Sequence, residues 1–261
     1  MMNEEDVAEA WDRNAAWWAN DVSAGYDLYR ELYTWPAFSA FLPPVEGLNL
    51  IDLGCGEGTN TRRLAEAGAH LTGIDLSARM IEQARAAEAG AALGIAYEVT
   101  SYTRLDMFPA ETFDGAVSTM ALMDGPDYEA AMRAAHRVIR PGGFLAFSIL
   151  HPCFMTPGFR WLVTEEGTHE GLRVARYFDA KPFVEEWRFS RRPEPLTVTP
   201  FAVPRFPRTM SDYLNPLAEA GFRLVRTAEP RPDEAIARDN PWLKRWYDHA
   251  PLVLFVLAER T

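Results

Sequence analysis

LNLIDLGCGEG, residues 48–58, decides the fold. Leu48, Leu50, Ile51 and Leu53 make the short apolar run of a buried parallel strand. Gly54, Gly56 and Gly58 follow at alternate positions. Glycines there let the backbone turn sharply and bring its N–H groups close to a ligand. Thr59 or Asn60 then caps a helix through Arg62, Leu64 and Ala65 to about Ala67. A second strand over 70–74 ends in Asp75, about twenty residues beyond the first glycine. Strand, glycine turn, helix and acid-terminated strand together open a nucleotide-binding βαβ unit. A carboxylate in that place accepts hydrogen bonds from both ribose hydroxyls of an adenosine-containing cofactor.

The order of the glycines argues against a dinucleotide. A pyrophosphate loop reads G-x-G-x-x-G, whereas Gly54-Cys55-Gly56-Glu57-Gly58 places an acid inside the turn. Glu57 and Asp52 would repel a pyrophosphate, and no Lys or Arg lies in the turn; a cofactor with positive charge suits it better. Ile51-Asp52-Leu53-Gly54-Cys55-Gly56-Glu57-Gly58 resembles the first motif of the class I S-adenosylmethionine-dependent methyltransferases, and Gly73-Ile74-Asp75-Leu76-Ser77 matches their second acidic position. The resemblance implies an α/β fold: a Rossmann-like, seven-stranded doubly wound sheet with its last strand antiparallel. It also implies S-adenosyl-L-methionine as cofactor and S-adenosyl-L-homocysteine as product, with contacts from Asp52, Gly54, Cys55, Gly56, Asp75 and Leu76.

Further landmarks follow in order over 48–150. Residues 95–99 read as a third strand. After it, the resemblance implies an acid that contacts the adenine amino group, where this chain has Thr100-Ser101-Tyr102. Ser101 can still hydrogen-bond there, with Tyr102 beside the adenine ring. Phe113-Asp114-Gly115-Ala116-Val117-Ser118 resembles the family's fourth strand, with Asp114 structural. Thr119, Met120 and Ala121 follow at the ligand-binding edge of an open α/β sheet. Their backbone, Met120 included, is expected to face the methionine part of the cofactor. A helix over 127–139 leads to Arg140-Pro141-Gly142-Gly143 and a strand over 144–150, resembling the family's Pro-Gly-Gly landmark.

The flanks carry the candidate acceptor site. Residues 4–41 read as an amphipathic helical cap with nine aromatic rings before the first strand. Tyr26, Tyr29 and Tyr33 lie roughly one helical turn apart and are expected on one face. Tyr26 is a catalytic candidate, and Tyr29 and Tyr33 are pocket candidates. His151, just past the fifth strand, is the second catalytic candidate; an imidazole with an ordinary pKa of about 6.5 suits a general base. The alternative is that it bonds backbone and shapes the turn. Residues 155–208 break the α/β alternation with short strands over 173–178, 183–189 and 196–203. They predict an antiparallel lid inserted after strand five, with Trp161, Tyr177 and Trp187 lining an apolar pocket. A helix from Thr209 or Ser211 to Gly221, a strand over 222–227, short helices at 233–238 and 242–249, and a strand over 252–258 complete the chain. The expected divisions are a cap (1–44), the cofactor-binding core (45–150), the lid (151–208) and the rest of the core (209–261).

Composition narrows the function. The 261 residues are 48% hydrophobic and 24% charged, as in ordinary soluble globular proteins. A net charge of −11, from 26 Lys+Arg against 37 Asp+Glu, argues against tracking a phosphate backbone, so no nucleic acid is expected. Cys55 and Cys153 alone make neither a disulfide framework nor a zinc site, and no metal is expected. No apolar stretch is long enough for a span and no basic leader precedes one, so the expectation is a cytoplasmic protein without a membrane. The reading is in-line methyl transfer to a small, apolar or aromatic organic acceptor by a monomer or homodimer. The alternatives are a methyltransferase acting on tRNA or protein, and a non-catalytic S-adenosylmethionine- or S-adenosylhomocysteine-binding protein.

Overall fold

The computed structural model describes residues 2–189, 191–192 and 199–261. Helix α1 (Glu4–Ser23) opens with a reciprocal cap: the Asn3 side chain accepts from the Asp6 amide, and the Asp6 carboxylate from the Asn3 amide. A single π-helical turn (Arg30–Thr34) then runs into α2 (Trp35–Phe41). The core follows as β1 (Asn49–Leu53), α3 (Thr59–Glu66), β2 (His70–Asp75), α4 (Ala78–Gly90), β3 (Ala96–Val99), β4 (Phe113–Thr119), α5 (Tyr128–Val138) and β5 (Ile139–Leu150). Next come β6 (Arg160–Val163), β7 (His169–Arg173), β8 (Phe183–Trp187) and β9 (Phe201–Arg205). The chain closes with α6 (Met210–Glu219), β10 (Phe222–Ala228), α7 (Glu234–Arg238), α8 (Pro241–Asp248) and β11 (Val253–Arg260).

Seven strands form one sheet in the order β3-β2-β1-β4-β5-β11-β10, with β11 antiparallel to both neighbours and the β3-to-β5 block parallel. The central strands are continuous apolar runs because helices cover both faces. Leu50, Ile51, Leu53, Ala116, Val117, Leu145, Ala146 and Phe147 are fully buried. Asp114 accepts from the Asn49 amide (2.8 Å) and pairs with Arg140 (2.5 Å), tying the starts of β1, β4 and β5 together. The chain winds from β1 outward to β3, then returns to β4 on the other side of β1. That reversal leaves a crevice at the carboxyl ends of β1 and β4, where open α/β sheets bind ligands.

Several local expectations shift. The α3 N-cap is Gly58, with left-handed backbone and no side-chain cap, not Thr59 or Asn60, which already lie in the helix. Strand β5 starts before the Pro-Gly-Gly turn, since Ile139 pairs with Phe113 ahead of an irregularity. Residues 173–178 are not a strand as a whole. A tight turn, with the Gly167 amide on the Thr164 carbonyl (3.0 Å), instead folds β6 onto β7. The strand expected over 196–203 falls partly outside the described residues, residues 199–200 are not strand, and 201–203 belong to β9, paired with β8.

Candidate active site

The floor of the site is the glycine turn after β1. The Gly54 and Cys55 amides both donate to the Ile74 carbonyl at 2.9 Å, pinning the turn to the end of β2. A Cβ on Gly54 would lie 2.4 Å from the Ala121 Cβ, so only glycine lets β1 end beneath the loop that follows β4. Gly56, at φ 57°, is the opposite case: a Cβ there would meet nothing within 4 Å, and the residue lines a cavity. Asp75 accepts from the Gly56 amide through Oδ2 (2.9 Å) and from the Ser77 amide through Oδ1 (2.8 Å). Burial pushes its carboxyl up to about 6, against the pull of those two amides. Met120 holds left-handed backbone (φ 57°), with its amide on the Ser148 carbonyl (2.9 Å) and Oγ (3.2 Å). Such strain persists only where the surroundings over-determine it, here at the cavity floor.

Helix α1 forms the roof. Its Glu4 accepts from Ser101 (2.7 Å) and Thr103 (2.5 Å), and its Asp12 from the Ser77 hydroxyl (2.6 Å) and the Arg79 amide (3.0 Å). Farther along, Asn14 donates to the Ala202 carbonyl of β9 (3.1 Å). Glu57, the acid inside the glycine turn, takes Trp18 Nε1 on one oxygen and Arg30 Nη1 on the other, both at 2.8 Å. Its charge is therefore met by a partly buried arginine from the N-terminal segment. Trp18 packs on Trp187, Phe189 and Phe201 at ring distances of 5.5, 5.0 and 5.3 Å, which joins α1 to the β8–β9 hairpin.

Between floor and roof lies one cavity of about 370 Å³. The glycine turn, Asp75, Leu76, Tyr102 and Met120 line it, and so do Met155, Phe159, Trp161, Trp187 and Trp246. Asp124, in the loop after β4, also lines it and is ion-paired with Arg205, whose Nε donates to Glu185 (2.7 Å). Burial pushes Asp124 up to about 6 although Arg205 pulls it down. The cavity thus joins an acidic, backbone-rich region to an aromatic one, with a carboxyl group that titrates near neutrality.

Residues 51–147 match the family model described as a methyltransferase domain. The chain is 35% identical to an S-adenosylmethionine-dependent methyltransferase from Mesorhizobium loti, over 87% of this chain and 97% of that one, with a TM-score of 0.72. This chain belongs to the S-adenosylmethionine-dependent methyltransferases. The methyltransferase is also 29% identical to the malonyl-[acyl-carrier protein] O-methyltransferase of Pseudescherichia vulneris, over 76% of this chain and 74% of that one. It is 32% identical to a ubiquinone biosynthesis O-methyltransferase of Methylocella silvestris, over 50% of this chain and 53% of that relative.

The residues present fit S-adenosylmethionine. The methyltransferase offers a sulfonium a wall containing Asp75 and no unneutralised cation in the glycine turn, an open Cα at Gly56, and the apolar Leu76, Met80 and Tyr102 for a purine. Of the cofactor contacts read from sequence, Gly54, Cys55, Gly56, Asp75, Leu76, Tyr102 and Met120 line the cavity. Asp52 and Ser101 do not. Asp52 lies beneath the turn, accepting from Thr61 Oγ1 (2.7 Å), with burial pushing it up to about 7. Ser101 spends its hydroxyl on Glu4, so the carboxylate at that part of the cavity comes from α1.

Neither catalytic candidate, His151 or Tyr26, lines the cavity. His151 is 1% exposed, and its Nδ1 accepts from the Cys153 amide (3.2 Å). Its proton therefore sits on Nε2, 2.6 Å from Glu229 Oε1. Burial lowers its pKa, with Glu229 opposing; the ring holds the turn after β5. Tyr26 packs against the Trp18 cluster. Among the pocket candidates, Tyr29, Trp161 and Trp187 line the cavity. Tyr33 is buried and donates to the Pro230 carbonyl (2.6 Å), while Tyr177 accepts from the Met210 amide (2.9 Å) and lines a neighbouring cavity of about 290 Å³. The π turn changes the residue rotation between Tyr29 and Tyr33, so the expected single tyrosine face does not form. Arg30, Asp124, Arg205 and Arg245 escaped the sequence reading. Only Asp124 had a local signal, its position in the loop after the fourth strand.

Proposed function

We propose that this methyltransferase methylates a small organic acceptor with an apolar or aromatic body, held in the same cavity as the cofactor. The carrying observation is continuity: Gly56 and Asp75 share one cavity with Phe159, Trp161 and Trp246. S-Adenosylmethionine, when bound, supplies an electrophilic methyl group on a positively charged sulfur. The chain's own task is to bind, align and keep dry. Asp75 retains lone pairs beyond those given to Gly56 and Ser77, and these accept the ribose hydroxyls. Leu76, Met80 and Tyr102 pack the purine, and α1 with Trp18 keeps water out.

An acceptor that arrives protonated needs a base, and Asp124 takes that proton. It lines the cavity, titrates near neutrality, and Arg205 fixes one of its oxygens. The names of the two O-methyltransferase relatives support an oxygen acceptor. The net charge of −11 weighs against tRNA. The test is calorimetric titration with S-adenosylmethionine and S-adenosylhomocysteine, followed by assay of S-adenosylhomocysteine formation over a panel of phenols and carboxylic acids. Binding of both and turnover on a panel member are expected. No binding of either refutes the site, and binding without turnover on any small acceptor refutes the acceptor class.

A further inference from the structure

Helix α8 places Arg245 on the aromatic side of the cavity. Its Nη2 donates to the Tyr29 hydroxyl (2.8 Å), and its guanidinium lies over the rings of Trp161, Trp242 and Trp246 at 5.1, 4.8 and 5.5 Å. These contacts fix the group's position without neutralising it. Among the described residues no carboxylate lies within 4 Å of it, and its buried Nε has no hydrogen-bond partner. The neighbouring cavity arginines are the contrast. Arg30 is met by Glu57 (2.8 Å) and Asp27 (3.2 Å), and Arg205 by Asp124 and Glu185. In a chain with 37 acids against 26 bases, acids are plentiful, yet among the described residues none is set against Arg245. Its charge is felt nearby: after burial, Arg245 is the next cause holding the His169 pKa down.

We propose that Arg245 is an anion-binding subsite, and that the acceptor carries a carboxylate on its apolar body. This rests on the acceptor reading above. Guanidinium stays protonated at every working pH, and its planar fork matches a carboxylate in a two-point hydrogen bond. Held by Tyr29 and three indoles, the fork is already oriented, so little rotamer freedom is lost when an anion docks. Phe159, Met155 and the Trp161 ring take the apolar body beside it.

The test uses an isosteric pair, 2-naphthoate and 2-naphthamide, titrated into the full chain saturated with S-adenosylhomocysteine and followed by tryptophan fluorescence. The acid is expected to bind about tenfold or more tightly than the amide, the range of one charge-assisted hydrogen bond. Arg245→Gln should bring the ratio near unity. Arg245→Lys, which keeps the charge, should retain part of the preference, and S-adenosylhomocysteine affinity should be the same in all three proteins. Equal affinity of acid and amide for the wild type, binding of neither, or a preference that survives Arg245→Gln overturns the proposal. Loss of S-adenosylhomocysteine binding in Arg245→Gln alone makes the residue structural and also overturns it. Failure of the wild type to bind S-adenosylhomocysteine overturns the cofactor placement itself and is thereby told apart.

Discussion

Acidification should weaken cofactor binding through Asp75. The carboxyl of the free protein titrates at about 6, raised by burial above the unfolded value of about 3.9. Ribose hydroxyls donate to the ionised form, so binding pulls this pKa down and releases a proton. At pH 5 about one-eleventh of the free protein has Asp75 ionised, and at pH 7 about ten-elevenths. Affinity for S-adenosylhomocysteine should therefore rise about tenfold between pH 5 and pH 7, roughly 1.4 kcal/mol, and level off above. The sign follows from the raised pKa: the binding-competent form is the one gained as pH rises through 6. The assay is calorimetric titration at pH 5, 6, 7 and 8 in two buffers of different ionisation enthalpy, which reads the proton release directly. Asp75→Asn should abolish both the slope and the proton release attributable to this group. A flat affinity with no buffer dependence, or a slope unchanged in Asp75→Asn, would refute the placement of the ribose.

Three other substitutions probe the rest of the site. Glu57→Ala leaves Arg30 Nη1 and Trp18 Nε1 without their acceptor, although Arg30 keeps Asp27 at 3.2 Å. It should cost about 2–4 kcal/mol in denaturant unfolding and loosen cofactor binding, and unchanged stability would contradict the assigned role. His151→Ala should cost about 1–3 kcal/mol through the lost bonds to Cys153 and Glu229, with S-adenosylhomocysteine affinity unchanged. Full stability with methyl transfer abolished would return His151 to catalysis. Asp124→Asn should leave cofactor affinity alone and lower turnover about 10²–10⁴-fold, because Arg205 still has Glu185. Full turnover across the pH range would remove Asp124 as the proton acceptor.

The glycine-turn half of the cavity was legible because its determinants are local. Strand, glycine turn and acid-terminated strand lie within residues 48–75, and each residue's role follows from its neighbours: Gly56 must be bare, Gly54 must be small, and Asp75 must end its strand. Ser77 caps α4 by accepting from the Met80 amide, a contact within one turn of its own position. The seven-stranded sheet with an antiparallel last strand was what the resemblance of these motifs implied, and the strand order itself is read from the structure.

The aromatic half of the cavity was decided by tertiary structure. Glu57 reads as a repelling acid until Arg30, 27 residues earlier, arrives beside it. His151 reads as a base until Glu229 and the Cys153 amide occupy both nitrogens. Tyr29, Trp161 and Arg245 come from three distant segments and meet only in the folded chain. Sequence alone determined which backbone segment makes the glycine turn at the cavity floor, because hydrogen bonding and chain geometry act over a few residues. Tertiary structure alone decided which side chains line the rest of the cavity, because a side chain's burial, charge partner and direction depend on residues with no fixed sequence separation from it.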